Sequence, residues 1–323
     1  SLKHSDIVGL SAWGMEVKGS VLLRGLKSTE AVAINSSNIG GQVSAGGARL
    51  RAETGFALNV HSPVIDGGLF LQTNSPSGQR QDDEKFVARG GVKVTASTIG
   101  MLYMEGAKLV ANLDPLKKTD KDEKQEFVAL SANNLTVLGD IKLGEATFEG
   151  EVKLSGARIE GILDCEKTSF ENEHGHAFNG QRMRVGQSFK WRKGTTAQGG
   201  VSLNGAHVGE LYDDLGDWPG AGELYLDGFT YDRINGKVST SKERRNWLKY
   251  GSLNKGQFFP QPYTQYATFL QNTGHDEQAR RVLLQREREV RKHERQELRP
   301  LHCAWRYLWD GLQLVVVGHG HQP

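Results

Sequence analysis

The sequence predicts a mainly β protein, a parallel β-solenoid in which similar coils stack around one hydrophobic core. The prediction depends on a repeated spacing of apolar residues. They recur at a first position and then two, five and seven residues later, in seventeen units between Leu10 and Tyr231. Successive units start about eleven residues apart, as at Val21, Val32 and Val43. A fixed period of this length indicates stacked supersecondary units, because a helix requires a period of 3.6 residues.

Each unit consists of two short strands that flank a corner. In one unit Val152 and Leu154 form the first inward pair, and Ala157 and Ile159 form the second. The residue between two inward positions, such as Lys153, points outward because side chains alternate along a strand. Glycine, which adopts positive φ at little cost, occupies the corner in eight units. These glycines are Gly14, Gly25, Gly47, Gly106, Gly156, Gly205, Gly216 and Gly228.

Interruptions of the spacing indicate the length of one coil. Longer insertions follow the units that start at 43, 69, 102 and 163, and each of them falls between pairs of units. This predicts a coil of about 22 residues made of two halves, with the insertions at one corner. We therefore expect a solenoid domain over residues 1–234, with eight to nine coils.

Residues 235–323 are predicted to form a helical C-terminal region, because the eleven-residue spacing stops after Ile234. Ser241–Tyr250 is a short helix candidate, and Pro262 suits the first turn of a second helix that ends at Gly274. A third helix is expected from Asp276 to about Leu298. The last two helices are predicted to form an antiparallel hairpin that caps the open end of the solenoid and leads toward a membrane segment.

The end of the chain combines basic residues, aromatic residues and a short apolar run. Leu312–Val317 is too short to cross a bilayer alone, but basic and aromatic residues before an apolar segment are typical of a cytoplasmic juxtamembrane region. The alternative is a solvated or packed soluble helix with pairs such as Glu287 with Arg291. The predicted membrane-facing residues are Arg288, Arg291, Lys292, Arg295, Arg299, Trp305, Tyr307 and Trp309.

Two parts of the chain resemble a known family. Residues 150–165 read Gly-Glu-Val-Lys-Leu-Ser-Gly-Ala-Arg-Ile-Glu-Gly-Ile-Leu-Asp-Cys, and residues 200–211 repeat the pattern. With the helical segment 260–275 and Ala279–Leu284, they are similar to bacterial repeat proteins known as membrane-associated oxidoreductases. The resemblance implies a soluble portion of a protein that continues into transmembrane helices. Pentapeptide-repeat proteins are a looser likeness, since a period of five fits less well than eleven.

The sequence carries no motif for redox chemistry, so we predict no cofactor and no metal site. A dinucleotide-binding glycine turn, a Cys-x-x-Cys pair and a haem attachment sequence are all absent from it. Its two cysteines, Cys165 and Cys303, lie in different segments, and Cys165 occupies a core position. The histidine pairs at 174 and 176 and at 319 and 321 lack the further ligands that zinc requires.

Three acidic residues interrupt the repeat and form a weak candidate site. Asp213, Asp214 and Asp217 fall in a unit that starts at Tyr212, which puts acids at inward positions. Burial of unpaired carboxylates is costly. Either the segment loops out, helped by Pro219, or the acids serve as general acid and base of a carbohydrate-active enzyme. The loop is the favoured interpretation.

The predicted function is a non-catalytic scaffold or interaction module held at the cytoplasmic face of a membrane. The membrane is the predicted partner, and the protein partner is not identified by the sequence. The alternatives are a carbohydrate-active β-helix enzyme and an oxidoreductase, as the name of the resembling family implies. Nucleic-acid binding is not expected, because the net charge is only +2 and the basic helix is interleaved with glutamates.

Overall fold

The computed structural model describes residues 1–72, 85–112, 127–235, 242–254 and 256–295. It confirms a parallel β-solenoid of about nine coils with about 23 residues per coil. Two parallel sheets of 15 strands each form the walls of the solenoid. Each coil contributes two strands, or one long strand, to each sheet, so that most coils have four sides.

Sides 1 and 2 belong to one sheet and sides 3 and 4 to the other. Side 1 contains Asp6–Ile7, Lys27–Ser28, Arg49–Arg51, Val87–Arg89, Lys108–Val110 and Thr147–Glu149. Side 2 contains Leu10–Trp13, Val32–Asn35, Leu58–His61, Val92–Thr95, Val128–Ser131, Glu151–Lys153 and Leu224–Tyr225. Ser169–Asn179 and Thr196–Ser202 are longer strands that extend over both sides.

The second sheet follows the same plan. Side 3 contains Glu16–Val17, Asn38–Ile39, Val64–Ile65, Thr98–Ile99, Thr136–Val137 and Arg158–Ile159. Side 4 contains Val21–Leu22, Gln42–Ser44, Gly68–Phe70, Leu102–Tyr103, Ile141–Lys142 and Leu163–Asp164. Arg184–Trp191, His207–Asp213 and Thr230–Asn235 extend over both sides.

Where no insertion enters, paired residues of adjacent coils are 22 residues apart in sequence, which is the predicted length of one coil. Leu10 pairs with Val32, and Ile141 pairs with Leu163. The inward positions form one continuous core, in which Val152 and Leu154 are completely buried. Burial of apolar surface along the whole stack is therefore the main force that holds adjacent coils together.

The corners are positions of positive φ, as the glycines predict. Seven of the eight predicted glycines have φ between 62° and 72°. The exception is Gly216, which lies in a short 3₁₀ helix, Leu215–Asp217, where the repeat breaks. Non-glycine residues take the same conformation at other corners: His4, Ser36, Ser62, Ala96, Asn134, Glu145, Lys167, Arg182 and Lys193. The geometry of the coil thus imposes the left-handed conformation on residues that seldom adopt it.

The insertions are divided between two corners, which corrects the prediction of a single corner. Residues 52–57 and 172–177 enter between sides 1 and 2. The insertion after the unit at 69 instead enters between sides 4 and 1, because the strands on either side of it are Gly68–Phe70 and Val87–Arg89. The sequence alone did not show which corner holds each insertion, since both corners recur at the same period along the chain.

A column of aromatic side chains runs along the core toward the C-terminal end. Phe148, Phe170, Trp191 and Trp218 stack with ring centroids 5.5, 5.3 and 5.0 Å apart and nearly parallel planes. Trp247 of the first helix continues the column at 6.1 Å from Trp218. This packing joins the last coils to the helical region, because each ring buries a large apolar area against the next.

The helical region begins with α1, Lys242–Gly251, and an antiparallel strand pair, Leu253–Asn254 with Gln257–Phe258. Helix α2 spans Gln261–Asn272, and α3 is described over 276–295. Between α2 and α3 the chain turns at Gly274, whose φ is 77°. Ala279 and Val282 of α3 are buried, and Leu283 is partly buried.

Helix α2 covers the open edge of the last coil through two glutamine side chains. Gln261 Oε1 accepts a hydrogen bond from the Gly228 amide at 3.0 Å, and its Nε2 donates to the Phe229 carbonyl at 3.2 Å. One turn later, Gln265 Nε2 donates to the Tyr231 carbonyl at 2.8 Å. These bonds replace part of the pairing that a further strand would supply.

Candidate functional site

Four basic residues form a stripe along α3. The basic stripe consists of Arg288, Arg291, Lys292 and Arg295, all of them exposed. Their spacing of three, four and seven residues puts them on one face of the helix. That face is turned away from Ala279 and Val282, which pack against the rest of the molecule. The stripe is thus accessible to a partner.

The stripe lacks the internal ion pairs that the soluble-helix alternative predicts. Glu287 pairs with the neighbouring Arg286 at 2.6 Å, rather than with Arg291, the partner that this alternative gives as an example. Among the described residues, no member of the stripe has a hydrogen-bonding or ionic side-chain partner. Four positive charges therefore face solvent without an ionic partner in the described part of α3.

An apolar residue lies next to the stripe on the same face. Leu284 is 50% exposed and precedes Arg288 by one helical turn. A leucine beside unpaired cations is typical of helices that lie on a membrane surface, where the apolar group inserts and the cations meet anionic lipids. The sequence did not single out Leu284, because its exposure depends on how α3 packs.

The other predicted membrane-facing residues lie outside the described part of the chain. They are Arg299, Trp305, Tyr307 and Trp309, together with the apolar run Leu312–Val317. Within the described residues, no helix has both the length and the apolar character needed to cross a bilayer.

The acidic cluster takes part in the contact between the solenoid and α1. The side chain of Asp213 is fully buried, and its two oxygens accept hydrogen bonds from the Arg244 guanidinium at 2.9 and 3.0 Å. Trp218 Nε1 donates a third hydrogen bond to the same carboxylate at 2.9 Å. A buried carboxylate requires such partners, because its desolvation is otherwise very costly.

Aromatic rings enclose the Arg244 side of this pair. The guanidinium carbon lies 4.8 Å from the ring centroid of Trp247 and 5.7 Å from that of Tyr266. The hydroxyl of the neighbouring Tyr231 is buried, and burial raises the pKa of this phenol well above its usual range. The surroundings are thus apolar enough to strengthen the attraction between Arg244 and Asp213.

Asp214 and Asp217 bind backbone amides of the preceding coil. Asp214 Oδ2 accepts from the Lys193 amide at 2.8 Å. Asp217 Oδ2 accepts from the amides of Gly194 and Thr195 at 2.8 and 3.1 Å. These contacts hold the looped segment against the corner that Lys193 turns with positive φ.

The register of this unit differs from the prediction. The unit starts at the fully buried Leu211 rather than at Tyr212, since Leu211 pairs with Phe189. Asp213 is therefore the acid that faces inward, while Asp214 and Asp217 belong to the loop. The error arose because the stretch Val208–Leu211 is one residue shorter than the stretch Val185–Phe189 with which it pairs, so the unit starts one residue earlier than the period predicts.

The described residues contain no group of three or more histidines, cysteines or acids placed to hold a metal ion. Cys165 is buried, and its burial, followed by the nearby charge of Asp164, raises the pKa of the thiol well above the usual range. Such a thiol is a poor nucleophile at neutral pH. Cys303 lies outside the described residues.

Comparisons with models of protein families and with curated proteins find no match to this chain. The resemblance to the membrane-associated repeat proteins therefore stays a prediction.

Proposed function

We propose that this protein is a scaffold or interaction module that its C-terminal region holds against the cytoplasmic face of a membrane. The observation that carries the proposal is the basic stripe, Arg288, Arg291, Lys292 and Arg295, whose four exposed cations have no partner in the part of the chain that the structure describes. Each basic residue near an anionic bilayer contributes about 1 kcal/mol of binding free energy. Leu284 adds an apolar contact at the same face.

The fold supports a binding role for the rest of the molecule. The solenoid is a stack of coils with a core of packed apolar and aromatic side chains, and its long outer faces are rich in polar residues. Solenoids of this kind use such faces for recognition. The three candidate catalytic carboxylates, Asp213, Asp214 and Asp217, already accept hydrogen bonds from protein groups, which favours the scaffold over the carbohydrate-active alternative.

Binding to vesicles of mixed anionic and neutral phospholipids tests the proposal. The triple variant Arg291→Gln, Lys292→Gln, Arg295→Gln is expected to bind roughly 100-fold more weakly than the wild type, because three contributions of about 1 kcal/mol are lost. Binding of the wild type is expected to fall with added salt, which screens the attraction.

The matched control removes three exposed cations from the solenoid, in the variant Lys27→Gln, Arg51→Gln, Arg89→Gln. Its net charge equals that of the stripe variant, so a loss confined to the stripe variant assigns binding to α3. Equal binding by the wild type and the stripe variant would contradict the proposal.

A further inference from the structure

A shallow groove on side 3 has no role in the proposal above. Its volume is about 220 Å³, and it lies on the outer surface of the sixth to eighth coils. The polar side chains that line it are Arg158, Glu160, Arg184 and His207.

Parallel pairing places three nitrogen-rich side chains in one row. Arg158 pairs with Arg184, and Arg184 pairs with His207 in the next coil. Neighbouring members of the row are thus separated by the strand spacing of about 4.8 Å. Their spacing is set by the backbone of the stack, so the row is held in place without a ligand.

The two guanidinium groups have no partner among the described residues. Neither Arg158 nor Arg184 forms a hydrogen bond or ion pair with a described residue, and both are exposed. His207 Nδ1 lies 3.0 Å from Thr230 Oγ1, and its Nε2 lies 3.9 Å from a carboxylate oxygen of Asp232, which is 71% exposed. Five N–H donors on each guanidinium therefore remain for a ligand.

Glycine forms the floor of the groove. Three residues occupy equivalent outward positions in successive coils, each directly after an inward-facing residue. They are Glu160 in the sixth coil, Gly186 in the seventh and Gly209 in the eighth. A Cβ at Gly186 would lie 2.6 Å from the carbonyl oxygen of Glu160, so the close approach of the two coils requires glycine. This second outward row, Glu160, Gly186 and Gly209, continues to Asp232 in the last coil, because Val208 pairs with Tyr231. Its acids therefore lie at the two ends of the row, and Arg184 has glycine beside it.

The geometry points to a binding site for a phosphate group on the row Arg158, Arg184 and His207. Among the residues that line the groove, two guanidiniums without a partner in the described part of the chain exceed the single negative charge of Glu160. Asp232, 3.9 Å from His207, lies outside this lining. Guanidinium forks match phosphate oxygens, and a phosphate presents three oxygens to donors from three successive coils, whereas a carboxylate presents two. The group could belong to a soluble phosphate compound or to a lipid headgroup.

Titration with inorganic phosphate at constant ionic strength, followed by the NMR shift of the Gly186 amide, tests the site. Saturable binding is expected for the wild type. The variant Arg158→Gln, Arg184→Gln is expected to bind roughly tenfold or more weakly, because it loses charge-assisted hydrogen bonds. Acetate at the same concentration is expected to leave the Gly186 shift unchanged.

The chain offers a matched control in Arg51 and Arg89. They also pair across adjacent coils, are exposed and have no hydrogen-bonding or ionic partner among the described residues, but they are not among the residues that line this groove. The variant Arg51→Gln, Arg89→Gln is expected to bind phosphate like the wild type. Equal losses in both double variants, an equal response to acetate, or no saturable binding would overturn the assignment.

Vesicles distinguish the two sources of the phosphate group. With phosphatidic acid in phosphatidylcholine, a lipid headgroup at the groove predicts weaker vesicle binding by Arg158→Gln, Arg184→Gln than by the Arg51 and Arg89 control. A soluble phosphate compound predicts equal vesicle binding by these two variants, with the difference confined to the phosphate titration. The stripe variant changes vesicle binding alone, so failure of the membrane proposal and failure of this one give different results.

Discussion

Asp213 and Arg244 form a buried ion pair at the contact between the solenoid and α1. The two residues are 31 positions apart in sequence, and the exposed fraction of the side chain is 0% for Asp213 and 6% for Arg244. Removal of one partner leaves the other charge buried without compensation. The pair therefore links α1 to the last coils of the solenoid.

The variant Asp213→Ala is expected to lower the free energy of unfolding by about 3–5 kcal/mol, because Arg244 loses its buried partner. Urea unfolding followed by tryptophan fluorescence measures this change. The double variant Asp213→Leu, Arg244→Met is expected to regain most of the loss, since an apolar pair avoids the desolvation of two charges.

The control for this prediction is Asp232→Ala, which removes a carboxylate that is 71% exposed. It is expected to change the free energy of unfolding by no more than about 0.5 kcal/mol. A loss of similar size in Asp213→Ala and Asp232→Ala would contradict the structural role of the buried pair.

Helix α2 replaces a missing strand at the end of the stack. Gln261 and Gln265 lie one turn apart and bind the Gly228 amide and the carbonyls of Phe229 and Tyr231. A free strand edge would otherwise offer these groups to another chain. The helical cap therefore satisfies backbone groups that an open strand edge would leave without partners.

The double variant Gln261→Ala, Gln265→Ala is expected to lower the free energy of unfolding by about 2–4 kcal/mol, because three backbone groups lose their partners and water reaches them only in part. Urea unfolding measures the loss, and faster hydrogen exchange at the Gly228 amide locates it. The control Gln271→Ala, at an exposed position of the same helix, is expected to have little effect. Unchanged exchange at Gly228 in the double variant would contradict the capping role.

Local patterns were sufficient to predict most elements. The spacing from Leu10 to Tyr231 predicted the parallel stack, because each inward position repeats the same burial in every coil. Pro262 and Gly274 marked the start and end of α2 correctly, since their effects on the backbone are local. The position of each element along the chain thus followed from nearby residues.

Contacts between distant segments were beyond the reach of the pattern. The sequence analysis identified the acids at 213, 214 and 217 but not their partners. Arg244 belongs to α1, and Lys193 belongs to the preceding coil. The groove likewise depends on the register that aligns Arg158 with Arg184 across an interval of 26 residues, which insertions had altered. Side-chain partners therefore required the three-dimensional structure.

The two ends of the described stack differ in how well the core is covered. At the C-terminal end, helices cover the last coil, and Leu224 and Leu226 are fully buried. Among the described coils, the first one has a neighbour on one side only, since its strands lie at the ends of both sheets. Its inward residues Leu10, Val17 and Val21 are only partly buried. A stack with nearest-neighbour contacts should therefore be least stable at the first coil.

Two leucines at the same position of side 2 test this gradient. Leu10 is partly exposed, and Leu58, two coils later in the same column, is fully buried. Leu58→Ala is expected to cost about 2–5 kcal/mol in urea unfolding, because it removes transfer free energy and leaves a cavity. Leu10→Ala is expected to cost about 1 kcal/mol, since solvent already reaches the side chain and no closed cavity remains. Hydrogen exchange should likewise be faster in Leu10–Trp13 than in Leu58–His61, and equal costs with equal exchange would show that the first coil is as well covered as the third.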